Sequence, residues 1–145
     1  MPKMNFEGTA SWTSGLECEL SVKGNKIVTV SPPPLFGGKE GYCVPEDIFA
    51  AALASCMNTL FLLIAKNSNL GLQKLDTEAD VEMNVEGMEK LIFTNFHFKV
   101  NVKLANDEER ERKKAERVYQ MAQKTCPLRQ LWGEDVPISF DLAFQ

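Results

Sequence analysis

The stretch Val44-Pro45-Glu46-Asp47-Ile48-Phe49-Ala50-Ala51-Ala52-Leu53-Ala54-Ser55-Cys56-Met57-Asn58-Thr59-Leu60-Phe61-Leu62-Leu63-Ile64-Ala65-Lys66 decides how the rest of the chain must be arranged. Pro45 suits the first position of a helix, where an N–H would have no partner anyway. Glu46 and Asp47 follow in the first turn, where the helix dipole favours carboxylates. Asn69 and Gly71 end the segment. By helical rise it is on the order of 33 Å long. Its apolar residues go nearly all the way round, so it needs cover on several sides. A chain of 145 residues has little else with which to enclose it. The sequence therefore predicts a homodimer that buries this helix. Ile48 to Ala65 is also long enough to weigh as a membrane span. Ser55, Asn58 and Thr59 interrupt it, it is rich in alanine, and no charge asymmetry flanks it. These features favour a buried central helix over a membrane segment.

Upstream, Phe6 to Thr13, Leu16 to Val22 and Lys26 to Val30 have strand composition, with turns at Ser14-Gly15 and Gly24-Asn25. They read as a meander. Ser31-Pro32-Pro33-Pro34 lacks the N–H donors of a central strand, so 31–44 is an ordered surface loop. Downstream, Lys74 to Val85 and Leu91 to Leu104 alternate apolar and polar residues, as strands with one wet face do. His97 falls on the polar side of that alternation and reads as a surface histidine. Asn106 or Asp107 caps a second helix, whose apolar stripe is Ala115, Val118, Tyr119 and Ala122. Thr125-Cys126-Pro127 restarts the chain as a short turn or helix to Trp132-Gly133, and Val136 to Phe144 is the last strand. The order βββ–α–ββ–α–β predicts an α+β fold with a largely antiparallel sheet, in one domain over 1–145.

Composition narrows the function. Apolar residues make up 44% and charged residues 25%, with a net charge of −4. That is ordinary globular composition, with no electrostatic support for nucleic-acid binding. The run from Arg110 to Arg117 is interleaved with acids and reads as a solvated helix face. The N-terminus has no apolar secretory segment, so a cytoplasmic protein is expected. The four cysteines, Cys18, Cys43, Cys56 and Cys126, include no Cys-x-x-Cys pair, and the single His97 is not near any of them in sequence. No zinc pattern fits. In a reducing compartment the thiols are either inert and buried or reactive. Cys56, mid-helix among apolar neighbours, reads alone as a small buried hydrophobe. Cys126 precedes Pro127 and can stand at the N-terminus of a short helix, whose N–H groups stabilise a thiolate.

Taken together, these pieces are more specific. Val44 to Cys56, with Pro45-Glu46 opening an Ala-rich helix and a cysteine ten residues after the Glu, resembles the signature of the OsmC/Ohr family (osmotically inducible and organic hydroperoxide resistance proteins). Cys126-Pro127-Leu128 and the closing strand resemble that family's second cysteine motif, and Gly37-Gly38 also fits. The order of elements is similar over essentially the whole chain. The resemblance implies an intertwined homodimer and a thiol-dependent peroxidase acting on organic or small hydroperoxides. Cys56 matches the peroxidatic cysteine and Cys126 the resolving one. A Cys56 sulfenic acid would close to a Cys56–Cys126 disulfide, which an external dithiol reduces without metal or organic cofactor. Glu46 matches an acid that orients an arginine beside the reactive thiol. On a straight helix Glu46 and Cys56 lie ~15 Å apart and differ by roughly 80° about the axis. A shared site therefore calls for Glu46 from the partner chain.

The sequence departs from the family at the arginine. The peroxidase members supply one from the N-terminal third, and the first arginine here is Arg110. Lys23, Lys26, Lys39 and Arg129 are the available substitutes, and a lysine cannot make the planar bidentate clamp of a guanidinium. This departure favours a second reading, an OsmC-fold protein that holds a small apolar or thiol-bearing ligand without peroxidase turnover. Phe49, Met57, Phe61 and Trp132 are candidates to line an apolar pocket. Cys18 is expected to be structural. Cys43, just before the helix, is a secondary redox candidate.

Overall fold

The computed structural model describes residues 1–127, 129–131 and 135–145. They form two compact units, Met1–Phe49 and Ala50–Gln145. In the first, β1 (Thr9–Ser14), β2 (Glu17–Val22) and β3 (Asn25–Val30) make an antiparallel meander in that order. Lys23 and Gly24 both have positive φ, 51° and 78°. That is what a two-residue type I′ hairpin requires.

The loop 31–44 is ordered, as expected. Pro34–Phe36 form one 3-10 turn, and Gly38 N–H donates to Pro33 O at 3.2 Å. A Cβ on Gly38 would overlap the Pro32 carbonyl, so glycine is required there. An ion pair ties the loop to β2. Lys39 Nζ lies 2.7 Å from Glu17 Oε1, and Leu16 N–H donates to Glu17 Oε2 at 2.8 Å. Lys39 N–H donates to Ser31 Oγ at 3.0 Å, and both Glu17 and Ser31 are buried.

The bond from Lys39 holds the Glu17 carboxyl below its ordinary value of 4.5. The pair's contribution is therefore fully present above that value and is lost as pH falls through the depressed folded-state value. Between about pH 6 and about pH 3 the wild type should lose thermal stability more steeply than Glu17→Gln. Parallel melting curves for the two across that range would contradict this.

α1 (Pro45–Asn67) begins in the first unit and runs into the second. Leu53, Met57, Phe61 and Ala65 recur every fourth residue and are buried, which makes one stripe on the helix. β4 (Leu72–Val85) and β5 (Leu91–Leu104) form the long antiparallel hairpin the alternation predicts. Phe96, Phe98, Val100, Val102 and Leu104 point to one face and are buried. α2 (Glu109–Thr125) adds Ala115, Val118, Tyr119 and Ala122. Residues of α1, β5 and α2 share one core cluster.

β6 (Ile138–Phe144) pairs parallel with β5, placing Phe98 beside Phe140 and Val100 beside Leu142. This is the parallel exception in a largely antiparallel α+β fold, and α2 is the crossover that a parallel pair needs. The expected cap of α2 is not made. Glu108 is the N-cap residue and forms no side-chain cap bond. Asp107 is instead clamped by Arg112, with Nε and Nη2 donating at 2.6 and 2.7 Å. Tyr119 reaches into the core, and its hydroxyl makes no well-formed hydrogen bond among the described residues. Burial pushes its pKa up to about 12, and nearby Gln123 offsets only part of that.

The single chain covers only one side of α1. Leu62 and Leu63 are 51% and 56% exposed, and Ser55, Thr59 and Lys66 are exposed on the same side. By length and composition, with a mean hydropathy of 2.1, α1 is long and apolar enough to cross a membrane. Its stripe built into the core cluster is what a core helix presents.

Candidate functional site

Cys56 sits in the middle of α1, between the buried stripe and the open face. Two residues on, Thr77 Oγ1 of β4 donates to Asn58 Oδ1 at 2.6 Å, which fixes this turn against the sheet. Cys126 is the C-cap residue of α2. The α2 stripe packs into the same core cluster as α1, and this carries the C-cap residue of α2 back to the thiol on α1. Cys56 Sγ and Cys126 Sγ lie 3.1 Å apart across 70 residues of sequence. They are thiols not bonded to each other. An approach of about 1 Å would bring them to disulfide distance.

The two expected cysteines are thus brought together. Cys126 stands, as expected, just before a short helix, its carbonyl accepting from Arg129 N–H at 3.2 Å. The short helix after it is a 3-10 turn, Arg129–Leu131, and Cys126 itself ends α2. The C-terminus of α2 presents carbonyls there, while the 3-10 turn opens at the same residue. Leu128, Trp132 and Gly133, part of the expected motif and pocket, lie outside the described residues.

Next to Cys126 is a narrow crevice lined by Leu53, Met57, Phe98, Arg129, Ile138 and Phe140. It has ≈ 10 Å³ of room, about one water molecule. Of the expected lining residues, Met57 is here, Phe61 is in the core, and Phe49 belongs to the first unit. Phe98 and Phe140 were legible as register partners on neighbouring strands, but only once the parallel pairing is known.

Arg129 is the one charged group among the described residues that line this crevice. Its Nη1 donates to Gln123 O at 3.3 Å, and its guanidinium lies 5.6 Å from the centre of the Phe140 ring. Phe140 in turn stacks on Phe98, with ring centres 5.0 Å apart.

Two of the other candidate cations are in ion pairs. Lys39 holds Glu17 and Lys26 pairs with Glu19 at 3.3 Å, while Lys23 forms the β2–β3 turn. Glu46 stands in the first turn of α1, with Oε2 buried and without a hydrogen-bond partner among the described residues.

Cys18 and Cys43 flank Val30 from opposite sides. Two strand spacings of roughly 4.8 Å put them beyond the ~7 Å limit for a disulfide. His97 lies on the wet face, with Nδ1 2.6 Å from Ser139 Oγ and Nε2 3.1 Å from Asp141 Oδ2. Among the described residues no group of three or more His, Cys, Asp or Glu is placed to hold a metal.

Comparison with known proteins bears on the family and the fold. The organic hydroperoxide resistance protein-like 1 of Staphylococcus saprophyticus is 24% identical over 140 residues, spanning 97% of this chain and 96% of its own. The fold matches the solved structure of an OsmC-like protein of Vibrio cholerae, with a TM-score of 0.80 at 16% identity over 97% of this chain and 99% of that one. It also matches an organic hydroperoxide resistance protein of Elizabethkingia anophelis, with a TM-score of 0.77 at 16% identity over 99% of both chains. The family model described as OsmC-like protein matches residues 37–141, and the chain belongs to that family.

Proposed function

We propose that this chain is a cysteine-based peroxidase that reduces organic hydroperoxides in peroxide-stress defence, working as a cytoplasmic homodimer. The observation that carries the reading is the 3.1 Å approach of Cys56 and Cys126 beside an apolar crevice. Its relationship to a protein named for organic hydroperoxide resistance supports the same role.

In the proposed cycle the Cys56 thiolate attacks the distal peroxide oxygen. The O–O bond breaks, the alcohol leaves with a proton, and Cys56 becomes a sulfenic acid. Cys126 attacks that sulfur, water leaves, and a Cys56–Cys126 disulfide forms. An external dithiol returns both sulfurs to thiols. The more exposed position of Cys56 on α1 fits its role as the first thiol to react, since Cys126 is only 8% exposed.

The homodimer reading rests on the open apolar face of α1. Covering Leu62 and Leu63 would remove apolar surface from water, which is the usual drive for association. The buried Glu46 oxygen, without a hydrogen-bond partner among the described residues, fits a group whose cation comes from a second copy, since a buried carboxylate without a partner is costly.

The competing reading, a ligand-binding protein of this fold without turnover, draws on the lack of any arginine before Arg110. Two results separate them. The Cys126→Ser variant treated with cumene hydroperoxide should hold a sulfenic acid on Cys56, detected by dimedone labelling and mass spectrometry. Native mass should be twice the 16.3 kDa of the chain. An unlabelled Cys56 would favour the binding protein, and a monomer would remove the dimer from the account. Recovery of the protein outside the cytoplasmic fraction would contradict the assigned compartment.

A further inference from the structure

Reduction of a Cys56–Cys126 disulfide is a choice between two sulfurs. A thiol–disulfide exchange is fastest at the sulfur that can be reached, with the better-stabilised thiolate leaving. The two sulfurs here differ in both respects. Cys126 is 8% exposed, whereas Cys56 is half-buried on α1.

The surroundings of Cys126 hold the only charge among the described residues of the crevice, the guanidinium of Arg129. Arg129 is held at its backbone and at its guanidinium. The backbone turn hydrogen-bonds Arg129 N–H to Cys126 O at 3.2 Å. Nη1 donates to Gln123 O at 3.3 Å. The guanidinium carbon lies 5.6 Å from the centre of the Phe140 ring, which is itself stacked on Phe98. A guanidinium is charged at every working pH and costs little to hold once stacked. Among the described residues of the crevice, Arg129 is the counter-charge for a thiolate formed at Cys126.

We infer that the external reductant attacks Cys56 Sγ and that Arg129 is the positioning residue that makes Cys126 the leaving thiolate. In the first exchange a thiolate bonds to Cys56 Sγ. The Sγ–Sγ bond breaks, and Cys126 departs with the electron pair beside Arg129. A second thiolate then displaces Cys56 from the mixed disulfide. Two thiols are oxidised to one disulfide, and the protein gains two electrons and, after protonation, two thiols. The sequence around Arg129 gave it only as a stand-in for a missing arginine. Its place in the crevice gives it a role in the reductive half of the cycle.

This rests on the thiol pair closing to a disulfide, as in the function proposed above, and its test avoids peroxide. Reduced protein is oxidised with diamide, and the Cys56–Cys126 bond is checked by peptide mapping. The oxidised protein is then mixed with the neutral monothiol 2-mercaptoethanol and quenched with acid at short times. The adduct should sit on Cys56 at least about ten times more often than on Cys126. Arg129→Gln should slow loss of the disulfide about ten-fold, and Arg129→Lys should recover a good part of that rate. Circular dichroism on the oxidised variants shows that both are folded.

An adduct shared equally or found mainly on Cys126 would overturn the direction of attack. Equal rates for wild type and Arg129→Gln, or no recovery in Arg129→Lys, would overturn the role of Arg129. Failure of diamide to give the Cys56–Cys126 bond would count against the thiol-pair reading itself, and with it this inference.

Discussion

Cys56→Ser should consume organic hydroperoxide no faster than protein lacking the site, a loss on the order of 10³-fold or more in kcat/KM. The argument is chemical. The reacting group must be an anionic sulfur, and a serine hydroxyl stays un-ionised at neutral pH and is a poor nucleophile without an adjacent base. Serine is close to cysteine in size, and Cys56 is not part of the core cluster. The fold should therefore survive, with a melting point near that of wild type. Steady-state peroxide consumption measured with a dithiol reductant checks the prediction. Retention of more than about a tenth of wild-type activity would place the reacting thiol elsewhere.

The largest effect on stability is expected at Phe61. It is fully buried, at 0% exposure, in the cluster that joins α1, β5 and α2. Phe61→Ala removes the ring and leaves a cavity that the surrounding strands and helices fill only in part. The cost is about 3–5 kcal/mol. For a chain of this size that lowers the melting temperature by roughly 10 °C or more. The neighbouring Leu62 is half exposed in the single chain. There the same truncation costs no more than about 0.5 kcal/mol in a monomer. A larger loss at Leu62 would itself report cover over the open face of α1. A melting point lowered by less than about 2 °C in Phe61→Ala would contradict the packing described for α1.

Much of the fold was legible in the sequence because local signals agreed. Pro45 with its two following acids marks a helix start, and α1 begins there. The alternation from Leu75 to Val85 and from Phe96 to Leu104 marks two strands, and they form β4 and β5. Other features depend on tertiary geometry. The parallel pairing of β6 follows from α2 crossing back over the sheet, which no periodicity within Ile138–Phe144 encodes. The cap of α2 went to neither Asn106 nor Asp107, because an arginine five residues on offered Asp107 a bidentate partner.

The site divides in the same way. Cys56 and Cys126 are 70 residues apart, and neither local sequence alone singles them out. Their pairing was legible through the resemblance and is realised by the packing of α1 and α2 into one core. Leu53, Phe98, Ile138 and Phe140 come from three elements and meet only in the folded chain. The sequence left four candidate cations open. The ion pairs of Lys26 and Lys39 and the turn position of Lys23 leave Arg129 beside the crevice.

The measurement that bears most directly on the account is peptide mapping of reduced wild-type protein after one equivalent of cumene hydroperoxide, with the loss of thiols followed by stopped flow. The account predicts rapid loss of two thiols per chain and a single new bond, between Cys56 and Cys126. Thiol loss no faster than that of cysteine in solution, or a disulfide that involves Cys18 or Cys43 instead, would contradict it.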